Sequence, residues 1–190
     1  TQVAVDDLYR PYRPKRRTRA TVAKERGLEP LANIILLQET DKNIKELAKE
    51  YVNEEKGVKT VKDAVQGALD IIAEVISDNA EYRTAIRGLT FNLGKLTSTA
   101  KKPDVKTVYD NYYSYEEELK KIAGHRVLAV NRGETEKVLT VKISAPSELI
   151  CDYLSRHVIT RDNPNTSPLL TLALTVKMLR ISVSILGAIS

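Results

Sequence analysis

The residues of this chain best able to do chemistry are cations and phenols crowded into one short stretch. Between Arg10 and Arg26 stand Arg10, Arg13, Lys15, Arg16, Arg17, Arg19, Lys24 and Arg26, against a single acid, Glu25. The rest of the 190-residue chain holds 22 basic and 24 acidic residues, a net charge of −2, so the formal +5 belongs to this arm. Guanidinium groups pair with phosphate, and phenol rings such as those of Tyr9 and Tyr12 stack on bases. Arg10, Tyr12, Arg13, Lys15, Arg16, Arg17 and Arg19 are therefore the candidate nucleic-acid-binding residues, suited to weak RNA or DNA contact with little sequence preference. The same composition also suits an internal strap, its tyrosines pinned to a helical body and its arginines paired with acidic helices. Both readings stand on the sequence.

Other chemistry finds little support. Gly94-Lys95 lacks the remainder of a phosphate-binding loop, and His125, His157 and Cys151 do not have zinc-ligand spacing. His157 and Asp152 are five apart on an expected helix and point in different directions, so neither reads as an acid–base partner. Asp6 and Asp7 suit pairing with the arm's arginines better than a catalytic carboxylate pair. The expectation is no catalytic residue, no metal and no cofactor, hence no enzyme. A single cysteine suits a reducing cytoplasm, and no secretory signal is recognisable at residues 1–8. The apolar segment 169–190 is interrupted by Lys177 and Arg180, which argues against a membrane span.

The elements that must position the arm are mostly helices. Pro11 and Pro14 favour extended backbone over residues 8–17, Thr18 or Thr21 can cap a short helix, and Gly27 can end it. Pro30 opens a helix through Leu31 and Ile35, and Thr40 or Asp41 caps the next, carrying Ile44, Leu47, Ala48, Tyr51 and Val52 towards Gly57. Thr60 with Asp63 forms a near capping box ahead of the clearest stripe, Val61, Val65, Ala68, Leu69, Ile72, Val75 and Ile76. Ser77 or Asp78 then caps a helix with Tyr82, Ala85, Ile86, Leu89 and Leu93 inward.

Residues 94–103 lose periodicity and read as a flexible loop. Tyr109, Tyr112, Tyr113 and Tyr115 cluster beside Asp110 and residues 116–118, all three of them Glu, which favours packing over base stacking. Ser114 is placed as the cap of a short helix ending at Gly124. The runs 127–130 and 139–143 read as a β-hairpin turning at Gly133, and Ser147 starts a helix ahead of a loop at 163–168. The fold class expected is mainly α: a helical, bundle-like body with one β-hairpin near residues 127–143. Its parts are a basic arm and short helix (1–27), a helical body (28–124), the hairpin (125–145) and carboxy-terminal helices (146–190). The last segment is apolar almost all round, with Leu172, Val176, Leu179, Val183 and Leu186 in one stripe. It therefore calls for burial or self-association through 169–190.

Tyr9-Arg-Pro-Tyr-Arg-Pro-Lys-Arg-Arg-Thr-Arg-Ala-Thr-Val-Ala-Lys-Glu-Arg-Gly-Leu-Glu-Pro-Leu-Ala32 closely resembles a signature of the Tex family of bacterial transcription accessory proteins, relatives of a eukaryotic elongation factor. Ala64-Val-Gln-Gly-Ala-Leu-Asp-Ile-Ile-Ala-Glu-Val-Ile-Ser77 and His125-Arg-Val-Leu-Ala-Val-Asn-Arg-Gly-Glu134 resemble two further stretches of that family. The resemblance covers residues 6–143 and implies the helical, amino-terminal half of a larger protein. In the family that half is followed by ribonuclease-like, helix-hairpin-helix and S1 domains, and the S1 module is usually credited with nucleic-acid binding. It implies a non-enzymatic scaffold acting with RNA or DNA, the transcription machinery and those downstream domains. The alternative is a protein-interaction module whose arm docks on an acidic partner or on those domains. Two departures stand out. Lys137 occupies a place where the family tends to have glycine, and residues 169–190 carry no acid where the family has a charged amphipathic helix.

Overall fold

A computed structural model describes Val5, Tyr9, Tyr12 and residues 17–184, with side chains through Thr175. Its elements in chain order are α1 (Arg19–Glu25), α2 (Glu29–Leu37), α3 (Ile44–Ala48), α4 (Val61–Asp78), α5 (Ala80–Leu93), β1 (Lys95–Ala100), β2 (Ser114–Glu118), α6 (Gly124–Thr135), β3 (Leu139–Ser144), α7 (Ser147–Val158) and α8 (Ser167–Ser184). The mainly helical class is what the periodicity predicts. Two compact units divide the described residues: one runs up to Arg83 and resumes over Cys151–Leu179, the other is Thr84–Ile150 with residues 180–184.

The first unit is built on α4. Its start is a full capping box: Thr60 Oγ1 accepts from Asp63 N at 3.1 Å, and Asp63 Oδ2 accepts from Thr60 N at 3.0 Å. Ala64, Ala68, Leu69, Ile71, Ile72, Ala73 and Ile76 are buried, whereas Val75 of the expected stripe is about half exposed, at 49 %. Helix α1 approaches α4 closely because the facing residues are small. Ala20 and Ala23 are buried, and a Cβ at Gly67 would stand 2.3 Å from Leu28 Cδ1 and 3.3 Å from Ala23 Cβ. The chain leaves α1 through Gly27 at φ +80°, where Leu28 N donates to Ala23 O and Gly27 N to Lys24 O. Leu28, Leu31 and Ile35 then fill the space above α4, each such burial contributing about 1.5–3 kcal/mol.

A polar clip closes the far end of α2. Gln38 is left-handed, at φ 56°, and buried; its Nε2 donates to Val158 O at 2.8 Å and its Oε1 accepts from Thr160 N and Arg161 N. Asn163 Nδ2 in turn donates to the Gln38 and Thr40 carbonyls. The cap of α3 is Asn43 rather than Thr40 or Asp41, and α3 tightens after Ala48 into a 3₁₀ turn, Lys49–Tyr51. Asn79, not Ser77 or Asp78, receives the Tyr82 N–H at the start of α5. Along the part of α8 whose side chains are described, Leu170, Ala173 and Leu174 are buried and Leu172 is exposed. Of the expected stripe only Leu172 has a described side chain, and it is exposed; Val176, Leu179, Val183 and Leu186 lie outside the described side chains.

The second unit corrects the expected hairpin. Residues 139–144 form a strand, but its partner is β1, in an antiparallel sheet of order β2-β1-β3 with Thr97 opposite both Glu116 and Lys142. Residues 127–130 lie in α6, and Gly133 is a helical residue packed on the sheet. A Cβ there would be 2.6 Å from Leu139 Cδ1. A four-residue apolar run does not separate strand from buried helix by period alone. The turn into β3 falls at Lys137, at φ 60°, where Val138 N donates to Gly133 O and Lys137 N to Glu134 O: the closing motif in which glycine is the usual residue.

The stretch read as a flexible loop is the central strand. Its inward residues are Leu96 and Ser98, the serine buried and donating to Tyr112 O at 2.8 Å, so the alternation is hidden in an apolar count. Residues 114–118 are a strand, not the start of a helix, and Gly124 begins α6 rather than ending a helix. Leu96, Tyr109, Leu119, Val130, Leu139 and Val141 form the core here, with Tyr112, Tyr113 and Tyr115 packed against it. The tyrosine cluster is therefore packing, with Tyr112 and Tyr115 edge-to-face at 5.2 Å.

Candidate nucleic-acid interface

Four of the seven candidate residues, Arg10, Arg13, Lys15 and Arg16, lie outside the described residues, as does most of the stretch 8–17 expected to be extended. Tyr12 is described and 78 % exposed. Arg17 and Arg19 are exposed at the start of α1, whose cap is Thr18: Oγ1 accepts from Thr21 N at 3.1 Å and donates to Glu74 Oε2 at 2.8 Å. That second bond ties the base of the arm to α4.

Beside it runs an open groove of about 500 Å³ between α1 and α4, lined by Arg17, Thr18, Arg19, Val22, Ala23 and Arg26 on one side and Asp63, Gln66, Gly67 and Asp70 on the other. Small residues shape the groove: Gly67, where a Cβ would meet Leu28 and Ala23, lets α1 sit low on α4. Arg26, which the sequence reading left out of the candidate set, belongs to this group; its guanidinium reaches to within 3.4 Å of the Cβ position of Gly57. The signal that could have found it is its spacing. Arg19 and Arg26 are seven apart, two helical turns along one face of α1.

The groove's charge is mixed. Arg17 Nη2 is 3.0 Å from Glu25 Oε2, with both side chains more than half exposed, a pair contributing about 0–1 kcal/mol and easily exchanged for another anion. Asp63 Oδ2 is already engaged in the capping box. The guanidinium groups that line the groove suit binding of an anion. A phosphate can be held by guanidinium groups from one wall, or an acidic segment can lie against that wall.

Elsewhere the titratable groups serve structure. Asp152 pairs with Arg156 at 2.7 Å, not with His157, whose Nδ1 is 2.7 Å from Tyr153 O. Cys151 is half-buried, and burial pushes its thiol pKa up, away from reactivity. Glu117 receives the Tyr115 hydroxyl and the Arg126 guanidinium (3.0 Å), which hold its carboxyl below the usual range. Among the described residues no cluster of three metal-ligating side chains occurs, and no helix is long and apolar enough to cross a membrane.

The family whose description reads Tex central region-like matches residues 39–166. YdcI, an uncharacterized protein of Bacillus subtilis strain 168, is 49 % identical over 158 residues, which is 82 % of this chain and 22 % of that protein. Protein tex of Bordetella pertussis is 38 % identical over 152 residues, 78 % of this chain and 19 % of the relative. The transcriptional accessory protein Tex of Neisseria gonorrhoeae is 34 % identical over 144 residues, 75 % of this chain and 19 % of its own length. The chain thus spans about a fifth of each of these relatives. With the match extending over most of its length, this chain belongs to the Tex central region-like family.

Proposed function

We propose that this chain is a non-enzymatic helical scaffold of a transcription accessory factor, and that its basic arm makes weak, sequence-independent contact with RNA or DNA. The observation that carries this reading is the setting of Arg17, Arg19 and Arg26. Exposed or half-exposed, they flank one open groove, and in sequence they directly follow the remaining arm cations. Support for the transcription link comes from the family and from a relative named as a transcriptional accessory protein. The transcription machinery and domains outside this stretch are its proposed partners.

Replacing Arg16, Arg17 and Arg19 together by Glu tests the reading. Binding of a labelled oligonucleotide at low salt is expected to vanish while the helical spectrum and melting temperature stay close to wild type. A second reading is favoured by a specific contact. Thr18 is bonded to Glu74, and Asp63 and Asp70 face the arginines, as an internal strap or a dock for an acidic partner segment requires. On that reading the same triple change leaves oligonucleotide binding as it was and lowers the melting temperature.

A further inference from the structure

The second unit holds a cationic concavity that the basic arm does not reach in sequence. A cavity of about 270 Å³ is lined by Lys101, Lys102 and Lys137 together with Val105, Thr107, Tyr113 and Val138. Among the described residues no carboxylate pairs with any of the three ammonium groups. The lysines come from two places, the β1–β2 connection and the turn before β3, brought together where Lys101 N donates to Val138 O at 2.9 Å.

The connection that carries two of them is pinned. The Tyr113 hydroxyl bridges the Val105 carbonyl and, at 2.9 Å, the Thr107 hydroxyl; Thr107 N donates to Asp110 Oδ1 at 2.6 Å; Val105 N donates to Lys102 O at 3.3 Å. A loop serving only to keep the surface soluble has no need of such fixing, whereas a binding loop loses less entropy when already ordered. The third lysine sits at φ 60°, a left-handed position that costs a side chain with a Cβ and suits glycine.

We propose that this cavity is a second anchoring site for a nucleic acid, taking one backbone phosphodiester. It rests on the nucleic-acid reading above and extends it to the β-sheet unit. Three lysines lining one cavity offer point charges that suit the oxygens of a tetrahedral phosphate, while a planar carboxylate is better met by a guanidinium fork. The cavity is slightly smaller than the roughly 300–1,000 Å³ of pockets that enclose whole small molecules, as fits a single group rather than a nucleoside. Val105, half exposed at the rim, offers apolar contact to the adjoining sugar.

The test uses the whole chain and fluorescence anisotropy with a short fluorescein-labelled oligouridylate at low salt. Lys101→Ala with Lys102→Ala and Lys137→Gly is expected to weaken binding about tenfold or more, since charge-assisted hydrogen bonds are lost. The log–log salt slope should become shallower by about 0.7 for each phosphate contact removed. Lys137→Gly alone is expected to weaken binding while melting no lower than wild type, which separates the effect from misfolding. Lys42→Ala with Lys45→Ala and Lys49→Ala removes the same charge from exposed positions of the other unit and is expected to change affinity little.

Equal losses in the two triple variants, no loss in the first, or no binding by wild type each overturn the site. So does labelled polyglutamate binding as tightly as the RNA and being lost with the same variant, because the occupant is then an acidic peptide. The change of Arg16, Arg17 and Arg19 to Glu keeps the two proposals apart. Loss there with none in the lysine variant leaves the arm reading standing and removes this one; the reverse removes the arm reading and leaves the cavity.

Discussion

Gly94 and Gly88 are six residues apart, yet replacing each by alanine should move stability in opposite directions. Gly94 joins α5 to β1 and is buried. A Cβ built there lies 2.3 Å from Thr90 O and 3.1 Å from both Leu119 Cδ1 and Ser144 O. Two of those three atoms are backbone, held by the bond from Gly94 N to Thr90 O at 2.7 Å and by β3, so no rotamer change relieves the contact. Overpacking typically costs about 1–3 kcal/mol, and a clash against fixed backbone belongs at the upper end, about 2–3 kcal/mol. Gly88 lies inside α5, exposed, with nothing within 4 Å of its Cβ position. There alanine only reduces the freedom of the unfolded chain and raises helix propensity, a gain of about 0.5–1 kcal/mol. Urea unfolding followed by circular dichroism gives both numbers as midpoint shifts at unchanged slope. Gly94→Ala equal to or more stable than wild type would refute the packing of the α5–β1 junction. Gly88→Ala destabilising would refute its open setting.

Other outcomes follow from the same contacts. Lys137→Gly should raise stability by up to about 1 kcal/mol in the same assay, because the left-handed turn stops costing a Cβ clash; a loss would mean that the lysine side chain supports the turn. Gln38→Ala leaves the Val158 carbonyl and the Thr160 and Arg161 amides without their buried partner and should cost about 1–3 kcal/mol, while Glu39→Ala next to it, removing only an exposed pair with Arg161, should cost less than 1, roughly. Glu117 is held below its ordinary pKa by the Tyr115 hydroxyl first and Arg126 second, so its contribution to stability is present above the unfolded carboxylate pKa of about 4.3 and is lost as pH falls through the lower folded value. Tyr115→Phe should therefore be less stable than wild type at neutral pH, with the gap narrowing in acid; a gap independent of pH would mean that the phenol acts through packing alone.

Helices whose ends are marked by local chemistry were legible in the sequence. The capping box of Thr60 and Asp63 and the glycine stop at Gly27 are short-range signals found where they were expected, and of the α4 stripe Ala68, Leu69, Ile72 and Ile76 are buried while Val75 is not. The sheet was not legible, because its evidence is tertiary. Ser98 is an inward strand residue without an apolar side chain, and β2 ends in three glutamates, kept in place by β1 and by the Lys95–Glu116 pair at 2.6 Å. Residues 127–130 read as a strand because four apolar residues fit either period, and Gly133 read as a turn because its packing role against Leu139 is invisible without the fold. The basic arm announced itself through composition, but the groove needed α4 to supply Gly67 and the facing aspartates. The lysine cavity joins residues 101–102 to residue 137, a pairing that only the β1–β3 register creates.

The central claim, that the arm engages a polyanion, is tested most directly by the salt dependence of oligonucleotide binding to this chain. Each phosphate neutralised contributes about 0.7 to the log–log slope for a single strand and about 0.9 for a duplex. The account predicts a slope steeper than about −2 for wild type, corresponding to three or more contacts, and a marked flattening when Arg16, Arg17 and Arg19 are replaced by Glu. A slope near zero, or no binding at the lowest salt together with a lowered melting temperature in the variant, would contradict it and make the arm an internal strap.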